Sequence, residues 1–173
     1  MLRVAVTGPE STGKSSLAEW LGKTFKAPWV REYSREYLEP RGGRYGVDDL
    51  TAIARGQLAL EAEAAAGNSP IMFCDTELTV IKIWSEHKYD RVAPEIIEAH
   101  RQTTYDLYLL CYPDLPWQPD PLRENPEGGL YFFDLFERAL RDKNVAIIKG
   151  VGDERTRCAR QAVERLLATS QAS

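Results

Sequence analysis

Residues 8–15, Gly-Pro-Glu-Ser-Thr-Gly-Lys-Ser, follow directly on a short apolar run and precede a segment with helical spacing. This order of strand, loop and helix is the context in which the motif GxxxxGKS/T binds nucleotide phosphates, and it disfavours a chance match in an ordinary turn. Gly8 and Gly13 permit backbone angles and close approaches that a side chain blocks, so that successive N–H groups converge on phosphate oxygens. The sequence therefore predicts a phosphate-binding loop (P-loop, or Walker A motif).

Two side chains of this loop suit particular roles. Lys14 is expected to reach the β- and γ-phosphates of ATP, and Ser15 to offer its hydroxyl to Mg²⁺. The motif leaves open whether ATP or GTP is preferred, and whether the phosphate passes to a metabolite, to water or nowhere. The residues expected to contact nucleotide are Gly8, Glu10, Ser11, Thr12, Gly13, Lys14, Ser15 and Ser16, together with Gly150 and Gly152 in a later glycine-rich turn beside the adenine ring.

Short apolar runs alternate along the whole chain with longer segments of helical spacing. This alternation is typical of an α/β fold in which helices cover both faces of a parallel sheet, and the loop makes it a P-loop NTPase. A chain of 173 residues fits a single domain, which is expected to span residues 1–173. The predicted strands are 2–7, 28–31, 71–74, 106–111 and 145–148, and the clearest predicted helix is 48–66.

Charge and composition exclude several classes of protein. The net charge of −4 and the pI near 5.3 disfavour a nucleic-acid partner, because binding to a phosphate backbone relies on a basic surface. No apolar run approaches the roughly 20 residues that cross a bilayer, and the first residues lack a signal-peptide pattern, so a cytoplasmic protein without a membrane partner is expected. The three widely spaced cysteines support neither a disulfide framework nor a zinc site.

Carboxylates follow the second and third predicted strands, where the carboxyl ends of parallel strands face the ligand. Asp75 closes the apolar run 71–74 and is expected to contact Mg²⁺, with a helix N-cap as the alternative. Glu32 follows the second strand and is expected to accept the proton of an attacking hydroxyl. Which of the two is the base stays open, and Glu77 either shares the site or faces solvent.

Residues 31–37, Arg-Glu-Tyr-Ser-Arg-Glu-Tyr, bring charge and aromatic rings together at the same edge of the sheet. Tyr33 and Tyr37 are therefore candidates for substrate binding. The alternative is that Arg35 and Glu36 form surface ion pairs and that this face of the chain is simply solvated.

Residues 112–129 hold five prolines, two glycines and four carboxylates, a composition that favours turns over regular structure. Long loops of this kind are often functional, and this one is expected to be a lid over bound nucleotide. Trp117 suits stacking on a flat ring, and Arg123 suits stabilisation of phosphate charge. The alternative is an exposed surface loop with a packed tryptophan.

Four stretches together, GPESTGKSSL, REYSREYL, FCDTELTVIKIW and DLYLLCYPDLPWQPDPLR, resemble the kinase domain of the NadR family, the ribosylnicotinamide kinases of bacterial NAD salvage. The resemblance covers most of the chain. It implies transfer of the ATP γ-phosphate to the 5′-hydroxyl of nicotinamide riboside, which yields nicotinamide mononucleotide, on a sheet of order 2-3-1-4-5 as in nucleoside kinases. Carried over by position, it implies nucleotide and metal contacts for Lys14 and Ser15, and substrate or lid roles for Glu32, Asp75, Trp117, Asp120 and Arg123.

Nicotinamide riboside carries a cationic pyridinium ring, which suits a pocket of aromatic faces and carboxylates. The candidate ring partners are Trp117 and one of Tyr33, Tyr37 or Trp84. Since the P-loop begins at Gly8, a stand-alone kinase is expected, without the DNA-binding and adenylyltransferase regions of multifunctional members of the family. The remaining alternatives are a kinase for another nucleoside or small metabolite and, from another class, a regulatory P-loop ATPase. The oligomeric state stays open.

Overall fold

A parallel sheet organises the fold. The computed structural model describes residues 1–171, and within them five strands form one sheet of order β2-β3-β1-β4-β5. The predicted α/β class and the strand order are confirmed. The strands are β1 (Leu2–Thr7), β2 (Trp29–Val30), β3 (Ile71–Asp75), β4 (Leu107–Cys111) and β5 (Val145–Ile148).

The ends of three strands differ from prediction: β4 begins one residue later, at Leu107, and β2 and β3 differ for local reasons. β2 is shorter than 28–31, because Pro28 has no N–H to donate and Arg31 is already exposed where the chain turns away. Pro28 still contributes its carbonyl oxygen, which accepts from the Phe73 N–H at 3.0 Å. β3 extends one residue further than predicted, because Asp75 pairs in register with Val6 of β1.

Helices occupy the connections between strands. The predicted helix 48–66 is found with its bounds shifted by one residue. The residues that follow β2 form a short helix and then a 3-10 turn. The helices are α1 (Lys14–Phe25), α2 (Tyr33–Leu38), α3 (Val47–Ala65), α4 (Leu78–Tyr89), α5 (Pro94–Gln102), α6 (Gly129–Ala139) and α7 (Asp153–Gln171).

Both faces of the sheet are covered, as expected for buried parallel strands. Alternate residues of β1 point to opposite faces, so that Val4 and Val6 pack with α1 and α7, whereas Ala5 packs on the side of α3. α4 and α6 cover the same side as α3, against Leu110 of β4. None of the helices in residues 1–171 combines the length and apolar character that a membrane span requires.

The sheet places its functional edge at the carboxyl ends of the strands. The P-loop leaves β1 there, α2 starts just after β2, and Asp75 ends β3. Residues 112–128, which leave β4 at the same edge, contain neither helix nor strand, as the proline-rich composition predicts. We call this stretch the lid segment.

Candidate active site

The backbone of the P-loop is shaped by its glycines. Gly8 has φ 130° and Gly13 has φ 73°, both in a region that side chains disfavour. A Cβ atom at Gly8 would also lie 2.8 Å from the carbonyl oxygen of Cys111 in the neighbouring strand. Glycine is therefore required at this position on two counts, backbone angle and space.

Polar contacts inside the loop fix its conformation. The Thr12 hydroxyl and the Lys14 ammonium both donate to the Pro9 carbonyl, at 2.8 and 2.6 Å. Gly13 is the N-cap of α1, and in the described chain no side chain caps this helix. The first N–H groups of α1 therefore point into the loop, where the positive end of the helix dipole favours an anion such as phosphate.

Asp75 lies beneath the loop at the end of β3. Its side chain is buried, and Oδ1 has no hydrogen-bond partner among residues 1–171. Burial, followed by the negative charge of Glu32, raises the pKa of Asp75 to about 6, whereas the Ser15 hydroxyl and the Lys14 ammonium act in the opposite direction. A buried carboxylate oxygen without a partner beside a hydroxyl fits the oxygen-donor set that Mg²⁺ prefers.

Glu32 faces the same space from the start of α2. It is the N-cap residue of this helix, and its Oε1 accepts from the Ser34 hydroxyl at 2.7 Å. Its charge is close enough to raise the pKa of Asp75. The structure therefore brings together the two carboxylates that the sequence placed at successive strand ends.

Glu77 neither shares the site with Asp75 nor faces solvent, the two alternatives that the sequence left open. It is almost fully buried, accepts from the Thr7 hydroxyl at 3.0 Å, and caps α4 by accepting from the Thr79 N–H at 2.7 Å. Burial raises the pKa of Glu77 to about 7. The N-cap role considered for Asp75 therefore belongs to Glu77, which leaves Asp75 free for a ligand.

One cavity of about 660 Å³ lies beside these groups, and its lining includes Glu32 but neither Asp75 nor Glu77. The P-loop, including Lys14 and Ser15, forms one part of its wall. Helices α2, α3 and α4 form another part, which includes Glu32 and an apolar set of side chains. The lid segment closes part of the perimeter, with Arg123 in the lining. The apolar side chains are Leu38, Leu50, Ile53, Val80, Ile81 and Trp84.

The aromatic residues in the lining are partly different from those expected. Tyr45 and Trp84 line the cavity, and Trp84 stacks on Phe132 with ring centroids 5.2 Å apart. The Tyr33 ring packs on Gly56, and the Tyr37 hydroxyl donates to Asp49 at 2.7 Å.

Trp117 lies outside the described lining and is half-buried. The substrate roles of Tyr33, Tyr37 and Trp117 stay predictions. Tyr45 was missed because it follows two glycines in a stretch without periodicity.

The lid segment is fastened to the P-loop. Ser11 has φ 58°, and its hydroxyl accepts from the Gln118 N–H at 2.8 Å and from the Arg123 guanidinium at 3.5 Å. The Glu10 carboxylate accepts from the backbone N–H groups of Glu124 and Asn125 at 3.1 to 3.3 Å. The loop positions between the two glycines therefore serve as the attachment point of the lid.

Asp120 ties the lid segment to α2. It forms an ion pair with Arg35 at 3.1 Å and accepts from the Leu122 N–H at 2.9 Å. These contacts, led by the bond to Leu122, lower the pKa of Asp120. Its side chain lies outside the described cavity lining, so that a direct role toward substrate stays a prediction.

The glycine-rich turn after β5 has positive φ at both glycines, 91° at Gly150 and 56° at Gly152. Gly152 and the exposed Val151 line the cavity on the P-loop side. Gly150 lies outside that lining, and its N–H binds Asp114 at 2.7 Å. The turn thus borders the nucleotide side of the cavity, and the contacts predicted for its glycines stay predictions.

Arg155 is a buried residue that sequence reasoning missed. Its guanidinium binds the carbonyls of Thr12, Tyr112 and Gly150 at 2.7 to 3.0 Å and the Asp114 carboxylate at 2.7 Å. It therefore joins the P-loop, the end of β4 and the turn after β5. An arginine in the first turn of a polar helix gives no sequence signal for such a role.

Comparison with known proteins adds a family to this geometry. The AAA_28 family, described as an AAA domain, matches residues 3–157. The chain belongs to this family. As an AAA_28 protein it carries the P-loop on which the cavity is built.

The relatives of this AAA_28 domain include NadR proteins. The trifunctional NAD biosynthesis/regulator protein NadR of Escherichia coli K12 is 25% identical over 152 residues, which are 84% of this chain and 37% of that protein. The chain thus spans well under half the length of this curated relative. Two solved NadR structures, with NAD and AMP-PNP and with NR, are 26% identical at TM-scores of 0.79 and 0.77.

Those NadR structures match 95% of this chain and 49% and 50% of theirs. Deoxyadenosine kinase from M. mycoides, at 12% identity and a TM-score of 0.61 over 99% of this chain and 100% of its own, shows the fold alone. The AAA_28 domain therefore has a P-loop kinase-like fold, and its relationship to NadR fits the resemblance found in the sequence.

Proposed function

We propose that this domain is a kinase that transfers the γ-phosphate of ATP to the 5′-hydroxyl of nicotinamide riboside and yields nicotinamide mononucleotide. One observation carries the proposal: a single cavity joins the P-loop to an apolar compartment that has Glu32 on its wall and Asp75 beneath the loop. A regulatory ATPase needs no such second compartment.

The choice of nicotinamide riboside is supported by the relatives. The solved NadR structure in complex with NR superposes on this chain with a TM-score of 0.77 at 26% identity. Because the relatives are roughly twice as long or more, only the kinase reaction is proposed here. We assign residues 1–173 to one kinase domain with the lid segment as its cover.

Donor-side residues suit the binding of ATP with Mg²⁺. Lys14 would leave the Pro9 carbonyl for the β- and γ-phosphates, and the N–H groups at the start of α1 would bind the same oxygens. Ser15 and Asp75 would hold Mg²⁺, which when bound neutralises charge on the β- and γ-phosphates. Arg123 would stabilise the charge of the transferring phosphoryl group from the lid side.

On the acceptor side, we assign Glu32 as the residue that accepts the proton of the 5′-hydroxyl. The 5′-oxygen forms a bond to the γ-phosphorus while the bond between that phosphorus and the bridging oxygen of ADP breaks. The hydroxyl proton passes to the Glu32 carboxylate, one oxygen of which is already held by Ser34. Asp75 is the alternative base, and its position under the P-loop suits the metal role better.

Trp84 lines the apolar compartment, and we expect its ring to contact a flat base there. A cationic pyridinium over an aromatic face gains roughly 0.5–2 kcal/mol. Glu32 adds negative charge to the lining, which favours the cation further.

A neutral nucleoside is the second candidate, and one observation favours it. Lys88 forms an ion pair with Glu124 at 2.8 Å and lies 3.8 Å from the centre of the Tyr45 ring. This internal cation occupies an aromatic face and neutralises a carboxylate, both of which a pyridinium would otherwise use.

Coupled ADP release with a panel of nucleosides tests the proposal. Nicotinamide riboside should exceed uridine, cytidine, adenosine and thymidine in kcat/KM by about tenfold to a hundredfold, because they share a ribose-type 5′-hydroxyl and differ in ring charge. If a neutral nucleoside has a higher kcat/KM, nicotinamide riboside is not the preferred substrate, but the assignment as a kinase stands. ATP turnover that no acceptor stimulates supports the regulatory ATPase instead.

A further inference from the structure

Gln57, in the third turn of α3, has a buried side-chain amide whose oxygen and nitrogen both form hydrogen bonds. It is 2% exposed. Its Oε1 accepts from the Tyr33 N–H at 3.0 Å, and its Nε2 donates to Glu61 Oε1 at 3.3 Å. Because a backbone N–H can only donate and a carboxylate can only accept, these partners fix the orientation of the amide.

The Tyr33 N–H is the first of α2, and the first N–H groups of a helix have no partner within it. The N-cap residue often supplies one from its side chain. Here the N-cap is Glu32, whose side chain makes no cap hydrogen bond within the described chain and accepts from Ser34 instead. Gln57 thus satisfies from a neighbouring helix an N–H of the turn that Glu32 caps.

The side-chain nitrogen of Gln57 donates to a carboxylate that is itself held in place. Glu61, one turn further along α3, is 1% exposed. It accepts from the Tyr105 hydroxyl at 2.9 Å and forms an ion pair with Arg3 of β1. Buried charged groups held in this way are costly to move. A chain of contacts therefore runs from β1 through α3 to the first residue of α2.

We propose that Gln57 is a positioning residue that fixes the start of α2 and so keeps the Glu32 carboxylate directed at the acceptor. The inference rests on the proposed function, in which Glu32 takes the acceptor proton. Two observations support it: Gln57 and Glu32 line the same cavity, and the residue that binds Gln57 follows Glu32 directly.

Two substitutions separate positioning from simple packing. Gln57→Met keeps a similar volume without a polar group, so that the Tyr33 N–H loses its acceptor. Gln57→Glu keeps an acceptor oxygen for that N–H but places a second carboxyl beside Glu61, which costs more stability. A structural role predicts that activity follows stability, whereas a positioning role predicts the opposite order.

Steady-state kinetics with ATP and nicotinamide riboside, or the best nucleoside of the panel, provide the first measurement. Gln57→Met should lower kcat about tenfold or more, since small displacements of a reacting group are costly, and should change KM for ATP less than about twofold. Gln57→Glu should keep more of kcat at a lower melting temperature. Val163→Ala, which removes buried apolar contacts of α7 on the face of the sheet opposite Gln57, should lower the melting temperature and leave kcat unchanged.

A double-mutant cycle with Glu32→Gln provides the second measurement. If Gln57 acts through Glu32, adding Gln57→Met to Glu32→Gln should lower kcat by less than about twofold further. Full additivity, or kcat that follows melting temperature through all the variants, overturns the inference and spares the proposed function. A wild-type protein that phosphorylates no acceptor overturns both together.

Discussion

At the scale of single residues, Asp75 shows how a proposed ligand site weakens the fold that holds it. The carboxylate is buried with an oxygen that has no partner among residues 1–171, and its pKa rises to about 6. The folded protein therefore holds the Asp75 proton more tightly than the unfolded chain does, whose pKa is near 3.8. The stability that this proton gives is complete below pH 3.8 and is lost as the pH rises through about 6.

Asp75→Asn should therefore stabilise the protein and impair its metal response. In chelator without nucleotide, the variant should melt above the wild type at pH 7.5, and the difference should shrink toward pH 4 as the wild-type carboxyl becomes protonated. At the same time its activity should need a higher Mg²⁺ concentration. Thermal melts across this pH range and a Mg²⁺ titration of kcat measure both. Equal melting temperatures at pH 7.5 would show that Asp75 carries no burial penalty.

Lys14 tests the P-loop chemistry without disturbing the core. Lys14→Ala should reduce kcat by about 10²–10³-fold, the loss typical of removing a group that stabilises transition-state charge. Lys23→Ala is the matched control, because Lys23 lies on the same helix and pairs with Glu19 on the surface. Circular dichroism should show both variants folded. More than about a tenth of wild-type kcat in the Lys14 variant excludes the assigned role.

At the scale of elements, sequence patterns predict the features that depend on residues close together in the chain. The P-loop, the parallel strands and the disposition of Glu32 and Asp75 at strand ends follow from glycine positions and apolar runs, which act through neighbouring residues. The roles of Gln57 and Arg155, and the contact of Glu77 with Thr7, depend on partners far along the chain, and no residue spacing predicts them.

Tyr45 also reaches the cavity through the packing of several helices, which a single sequence does not specify. The same dependence explains why Tyr33 and Tyr37, beside Glu32 in sequence, turn toward α3 and its N-terminal turn.

The fastening of the lid segment to the P-loop gives a prediction about an element. Glu10→Ala removes the acceptor of two lid N–H groups, so that trypsin should cleave after Arg123 several times faster than in the wild type. Arg55→Ala, which removes an exposed ion pair to Glu95, is the control and should leave that site unchanged. Mass spectrometry of timed digests identifies the cut. An unchanged cleavage rate at Arg123 would mean that other contacts hold the lid.

At the scale of the whole molecule, Arg155 connects three loops that leave different strands. Arg155→Lys keeps the charge and loses the fork that reaches several carbonyls at once. The loss of two such bonds, roughly 2–4 kcal/mol, should lower the melting temperature by about 5–10 °C. KM for ATP should rise more than KM for the acceptor, because Arg155 binds the Thr12 carbonyl of the P-loop. Equal increases in both KM values would indicate a general loosening of the domain.

The undivided cavity has a practical consequence for inhibitor chemistry. If the cavity binds donor and acceptor as proposed, a single molecule that joins a nucleoside to adenosine through a polyphosphate chain should find both halves of its binding surface in one enclosure. Once one end binds, the other is held nearby at millimolar effective concentration, and affinity can exceed that of either half by about 10²–10⁴-fold. Across a series with tethers of different length, the tightest binder would report the distance between donor and acceptor, so that such a series would serve as a molecular ruler for the active site.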